Sequence, residues 1–149
     1  MRDLQGRLLL YCQLILMFIV IFIPLSINPS LPWIIFGFFL IMLSIIVFVF
    51  AKRDLKEAFY PFPQPRENAP FITNGIYARV RHPMYSSFLL GAAGLSSIKQ
   101  SVITYITTIS LYLTLIMKYR LEDKLLRNMW DQAKDYQART PALIPRWYS

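Results

Sequence analysis

Long uncharged apolar runs alternate along this chain with short polar stretches. Leu8 to Ile23 carries no charge over sixteen residues, and Ser30 to Ala51 carries none over twenty-two. A helix needs about 20 apolar residues to cross a hydrocarbon core of roughly 30 Å, so the second run suffices by itself. The first reaches that length once Pro24 to Asn28 enter the interface. Met84 to Ile98 is shorter and carries glycines, whereas Ser101 to Met117 is longer and rich in Thr and Ile. Only Lys99-Gln100 separates those two with real polarity. The pattern predicts an all-α polytopic membrane protein with about four transmembrane helices in two hairpins. Its spans fall at about 8–27, 31–51, 84–98 and 101–119, with a connector over 52–83 and a tail over 120–149.

Composition agrees with that class: 56% of residues are apolar and 16% charged, with a mean hydropathy of +0.43, too apolar for a soluble domain of this size. Arg2 and Arg7 precede the first run as they would in a signal peptide. The run ends in an Ile-Pro-Leu-Ser-Ile-Asn-Pro stretch rather than a small-residue cleavage site, and a second span comes at once. The run therefore reads as retained.

Charge placement orients the spans. Of 16 basic residues, two precede span one, six lie between Lys52 and Arg81, and seven follow span four, while the opposite turns hold only Lys99. Basic residues collect on the cytoplasmic side, so both termini are expected inside, and the small size suggests a bacterial inner membrane by analogy. The net charge of +8 is then chiefly a topology signal with attraction to anionic headgroups. The basic residues are mixed with acidic ones and lack the aromatic interleaving of a nucleic-acid groove, so no nucleic-acid partner is expected. Cys12 and His82 are the sole residues of their types, which argues against a disulfide or a bound metal. Cys12, inside span one, reads as a packing residue.

The connector contains Pro61, Pro63, Pro65 and Pro70, which favour an extended path. Phe59, Tyr60, Phe62 and Phe71 are interleaved with them, so the connector is expected to fold back against the cytoplasmic span ends. Thr73-Asn74-Gly75 reads as a turn. After it, Ile76 to Arg81 alternates in a way that fits either an extended piece or a helical turn. The pentad Arg81-His82-Pro83-Met84-Tyr85 marks the start of span three. Pro83 fits the first helical turn, where its missing N–H costs nothing, and this puts His82 at the N-cap. An interfacial helix start with a snorkelling arginine would produce the same pentad. Glu122-Asp123 follows span four. Asp123 lies four residues before Arg127 and could form an ordinary helix-surface ion pair, so Glu122 is placed ahead of it as a functional candidate. Gly91-Ala92-Ala93-Gly94 permits close helix approach.

Taken in order, Gly75-Ile76-Tyr77, Val80-Arg81-His82-Pro83-Met84-Tyr85, a small-residue span, the acidic pair, and Tyr136 to Pro145 resemble the isoprenylcysteine carboxyl methyltransferase family and its phospholipid N-methyltransferase relatives. The likeness covers the second half of the chain. It differs in two places: the paired glutamates appear as Glu122-Asp123, and Trp130 and Ala133 stand near a glycine and tyrosine of the pattern. The resemblance implies an integral membrane enzyme that binds S-adenosylmethionine at the cytoplasmic ends of its last two spans and methylates a lipophilic acceptor arriving through the bilayer. It implies that His82, Pro83 and Tyr85 wall the cofactor pocket opposite Glu122 and Asp123, with Tyr77 nearby and Arg81 and Glu122 as catalytic candidates.

Those residue types suit the cofactor. A carboxylate can hold its ammonium or ribose hydroxyls, and the tyrosine rings can face a cation or adenine. A carboxylate acceptor would call for an arginine, with Arg81, Arg120 and Arg139 as candidates, whereas an amine or thiol would call for a base. Phospholipid amines, small thiols, prenylated proteins and lipid-linked carboxylates all remain open as acceptors. Two alternatives are a nicotinamide-dependent membrane reductase, with Arg79 and Arg81 serving a phosphate, and a non-enzymatic four-span transporter. The second is disfavoured because every Asp and Glu falls outside the predicted spans.

Overall fold

The computed structural model describes residues 2–26, 29–55 and 70–145. The connector aromatics Phe59, Tyr60 and Phe62, and its first three prolines, lie outside the described residues. The described residues form five α-helices: α1 (Arg2–Phe22), α2 (Leu31–Leu55), α3 (Pro83–Lys99), α4 (Val102–Met129) and α5 (Ala133–Arg139). A 3₁₀ turn at Gly75–Ala78 precedes α3. The helical option for the Ile76 to Arg81 stretch is the one adopted.

Among the described residues three helices are long and apolar enough to cross a bilayer: Leu4–Phe22, Leu31–Leu55 and Val102–Met129. The helix expected as the third span, α3, has 17 residues and sits at the lower limit for crossing. It is also the most enclosed, burying Ser87, Ala92, Gly94, Ser96 and Ser97.

Polarity runs from the inside out. Phe18, Ile35, Phe38, Ile45, Ile109, Leu113 and Met117 are exposed, while Gln13, Thr104, Thr107 and Lys118 are buried beside a small apolar core of Val20, Ala92, Leu111 and Leu115. Lipid is as apolar as leucine, so such a bundle is held by close packing and interhelical polar contacts rather than by hiding apolar surface. Cys12 is exposed on α1, not packed as expected, because the inward positions go to Gln13 and Val20.

Packing does not simply follow chain order. The most extensive contact joins α2 to α3, and α1 packs mainly on α4. Glycine explains the first pairing. A Cβ on Gly94 would stand 2.7 Å from the Gly37 carbonyl oxygen, and one on Gly37 would stand 2.5 Å from that of Gly94. The backbones touch there, as the Gly-Ala-Ala-Gly stretch suggests. One turn-pair away, Ser44 Oγ donates to the Ser87 carbonyl at 2.7 Å.

Two ends of the bundle differ in chemistry. At one end, Lys99 Nζ donates to the carbonyls of Ile21 and Ile23, satisfying the C-terminus of α1, and the Gln100 side chain bridges the backbone of Ser30 at 3.0 Å. At the other end α4 continues to Met129, well beyond the expected limit of residue 119. Its 28 residues span about 42 Å at 1.5 Å per residue, more than the roughly 30 Å hydrocarbon core. Glu122 lies about 30 Å along the axis from Val102, at the far edge of that core and not at its middle.

Candidate active site

His82 is the N-cap of α3 and Pro83 its first residue. The imidazole makes no cap bond; it points away, into α4. Nε2 lies 2.9 Å from Asp123 Oδ1, and Nδ1 lies 3.5 Å from Glu122 Oε2. Tyr85, one turn on, donates its hydroxyl to Glu122 Oε2 at 2.8 Å. Successive residues of α4 thus receive residues three apart on α3, which is the side-chain spacing of two crossing helices.

The rings are layered. His82 and Tyr85 are nearly parallel, with centroids 5.3 Å apart and planes at 6°, and Tyr119 tilts over His82 at 5.5 Å. Lys118 Nζ stands 5.2 Å from the Tyr85 ring centroid. The Tyr85 ring therefore already contacts an imidazole and an ammonium. Arg81 completes the cluster: Nη2 pairs with Asp123 Oδ2 at 3.1 Å, and Nη1 donates to the Gln137 carbonyl at 3.1 Å. Its buried Nε has no hydrogen-bond partner among the described residues.

Asp123 is buried, receiving Arg81 and His82, and does not form the helix-surface pair with Arg127 that its spacing allows. Glu122 is the open carboxylate, its side chain 27% exposed against 11% for Asp123. Burial opposes a charge on His82, but the Glu122 charge, hydrogen bonds to both carboxylates and the Asp123 charge outweigh it and push its pKa up to about 9. The imidazole is cationic at neutral pH. Burial above all, then the Glu122 charge, drives the Tyr77 phenol upward, so it stays protonated.

The chain beyond α5 closes the cluster. Arg81 N–H donates to the Pro141 carbonyl at 2.9 Å, His82 N–H to that of Ala142 at 3.0 Å, and Ser86 Oγ to that of Leu143 at 2.5 Å. Tyr136 donates its hydroxyl to the Tyr77 carbonyl at 2.6 Å, and Phe71 lies stacked on Trp130 and edge-on to Tyr136. That part of the connector does fold back, as expected of its aromatics. Beside the cluster, a cleft of about 570 Å³ opens between α4 and α5, lined by Arg81, Arg120, Asp123, Arg127 and Lys134 among others.

A family model described as phospholipid methyltransferase matches residues 32–133, which takes in α2, the 3₁₀ turn, α3 and α4. The chain belongs to the phospholipid methyltransferase family. Two curated relatives match a shorter stretch. The cobalt-zinc-cadmium resistance protein CzcN of Cupriavidus metallidurans is 34% identical over 82 residues, covering 54% of this chain and 38% of that protein. The nickel-cobalt-cadmium resistance protein NccN of Alcaligenes xylosoxydans xylosoxydans is 33% identical over 82 residues, with the same shares. The chain therefore spans less than two-fifths of the length of these relatives.

In this phospholipid methyltransferase family member, His82, Pro83, Tyr85, Glu122, Asp123 and Arg81 all converge at one end of α3 and α4. Tyr77 is buried next to them through Tyr136. Arg120 lines the cleft, whereas Arg139 is turned back on its own helix, its Nε donating to the Asp135 carbonyl at 3.3 Å. Lys118, Tyr119, Gln137 and Gln13 were not anticipated. Tyr119 precedes Glu122 by three residues, a helical spacing that could have drawn attention to it. Gln137, which donates to the Asp123 carbonyl at 2.9 Å, and Gln13, which accepts from Lys118, are brought in by tertiary packing alone.

Proposed function

We propose that this protein transfers a methyl group from S-adenosylmethionine to a lipophilic, membrane-embedded acceptor at the cytoplasmic face. The observation that carries the reading is the direct joining of the His82 to Tyr85 helix start to Glu122-Asp123, in a chain of the phospholipid methyltransferase family. The basic residues at this end of the bundle support its cytoplasmic orientation.

The donor set fits the polar edge of such a cofactor. Glu122 Oε2 accepts from Tyr85, while Oε1 makes no hydrogen bond among the described residues and the side chain is partly exposed. That oxygen is free to take an ammonium or ribose hydroxyl. Bound there, the cofactor would supply an already activated methyl group, open to in-line displacement by an acceptor atom.

The chain's own residues then have separate tasks. His82, cationic at neutral pH, is a donor to the two carboxylates and not a base. Asp123 holds His82 and Arg81 in register. Arg81 has Nη1 and Nη2 committed, so it acts as a positioning residue, and Arg120 is the better-placed arginine for an anionic acceptor. Glu122 is the carboxylate that can take a proton from an amine or thiol acceptor. The 140–143 stretch, bonded over the α3 start, excludes water from the cluster, which favours transfer to the acceptor over hydrolysis.

Calorimetric titration of detergent-purified protein with S-adenosylhomocysteine tests this, with NADPH in a parallel cell. Saturable binding that Glu122→Gln abolishes, together with transfer of labelled methyl into the extracted lipid fraction, is expected. Absence of binding in the folded wild type, or binding of NADPH alone, would overturn it.

A further inference from the structure

We propose that the cleft between the cytoplasmic turns of α4 and α5 is a phosphate-binding site for an anionic lipid headgroup, adjoining the methyl-transfer cluster, whose Arg81 and Asp123 form its inner wall. The proposal rests on charge and depth alone and would hold even if the chain moved no methyl group.

Four cations, Arg81, Arg120, Arg127 and Lys134, line the cleft against one anion, Asp123, leaving three net positive charges in about 570 Å³. Asp123 cannot offset the remaining three cations, because its oxygens are held by Arg81 at 3.1 Å and His82 at 2.9 Å. Among the described residues, Arg120, Arg127 and Lys134 form no ion pair. Gathering like charges in one concavity raises its energy unless a counter-anion enters.

Depth identifies the kind of anion. Arg120 and Arg127 are seven residues apart, two turns along one face of α4. Measured from Val102 they lie about 27 Å and 38 Å along the axis, just inside and then beyond the roughly 30 Å hydrocarbon core. The cleft therefore spans the layer in which lipid phosphates lie. Guanidinium groups offer paired N–H donors that match phosphate oxygens. A zwitterionic headgroup would bring an ammonium into a cluster of cations. The site consequently selects a headgroup with phosphate and no amine, such as phosphatidylglycerol or phosphatidic acid.

The test is native mass spectrometry of the full chain in detergent, titrated with phosphatidylglycerol, phosphatidylcholine or inorganic phosphate. The comparison protein carries Arg120→Gln, Arg127→Gln and Lys134→Gln, exposed positions whose replacement should leave the helical circular dichroism intact. Saturable phosphatidylglycerol adducts are expected, much tighter than those of phosphatidylcholine. The triple variant should weaken them by on the order of a hundredfold, from about fivefold per removed cation. Displacement of the lipid by inorganic phosphate would show that the phosphate group alone is recognised; failure to displace it would show that the glycerol backbone and chains are read as well. Equal affinity for the two lipids, or undiminished phosphatidylglycerol binding in the triple variant, overturns the proposal. Since no methyl donor enters the assay, and Glu122→Gln should keep the lipid affinity, its failure and that of the methyl-transfer reading are separately visible.

Discussion

Lys118 Nζ donates to Gln13 Oε1 at 2.7 Å, joining α4 to α1 inside the bundle. The same ammonium stands over the ring of Tyr85, whose hydroxyl donates to Glu122, so a buried polar chain runs from the first helix to the candidate site. Lys118→Met should destabilise the protein by about 1–3 kcal/mol, because it leaves a buried amide oxygen without this donor. Gln13→Leu should cost more, since a buried ammonium loses a ligand. Combined, the two should recover part of the loss, with a coupling of about 1–3 kcal/mol in thermal unfolding of nanodisc-embedded protein. Strict additivity would mean that the contact contributes nothing.

Protonation of His82 should stabilise the fold over a defined pH window. Its folded pKa is about 9 against 6.5 for the free residue, so folding takes up a proton between these values. The contribution is fully present below pH 6.5 and is lost as pH rises through about 9. Melting curves should lose stability across that window relative to His82→Gln. As the chain has one histidine, a single labelled imidazole signal reports the titration directly. A midpoint near the free value would contradict the two-carboxylate environment.

Asp123 and Glu122 should separate folding from ligand binding. Asp123→Ala leaves Arg81 and His82 buried without their shared carboxylate, which should cost about 3–5 kcal/mol. Glu122→Gln retains an acceptor for Tyr85 and should change stability by about 1 kcal/mol or less while removing S-adenosylhomocysteine binding. Equal destabilisation by the two variants would refute this division of roles.

Gly75 should resist replacement for two reasons that can be told apart. Its φ is +60°, and a Cβ would fall 2.0 Å from Asp54 Oδ2, the oxygen that accepts the Ile76 N–H at 2.8 Å. Gly75→Ala should therefore be strongly destabilising in the natural background. With Asp54→Ala already present, its added cost should shrink to roughly the 1–2 kcal/mol of the left-handed conformation. An unchanged increment in thermal unfolding would show that Asp54 does not crowd this turn.

Hydropathy made the helices legible because lipid demands long apolar runs, and Pro83 fixed the start of α3 to the residue. The end of α4 was hidden: beyond Met117 the helix turns charged, and nothing in apolar content distinguishes a projecting helical turn from a tail. Asp123 and Glu122 could be named from their neighbourhood and Glu122 put first, but the burial of Asp123 between Arg81 and His82 could not be read there. Which of two adjacent helix residues faces inward depends on where α3 meets α4, and that becomes visible only when His82 and Tyr85 are brought against Asp123 and Glu122, about forty residues on. Lys118 was hidden for a related reason. A cation near a span end looks like a snorkelling residue until α1 supplies an amide for it.

The bonds from Arg81 and His82 to Pro141 and Ala142 also bear on biosynthesis. During insertion the start of α3 reaches the membrane while residues 140–143 are still to be made, so two backbone N–H groups beside the only histidine wait for carbonyls that emerge much later. The membrane scaffold can thus assemble first, and the end of α3 that carries His82 is closed over only by the last described stretch of chain to be made.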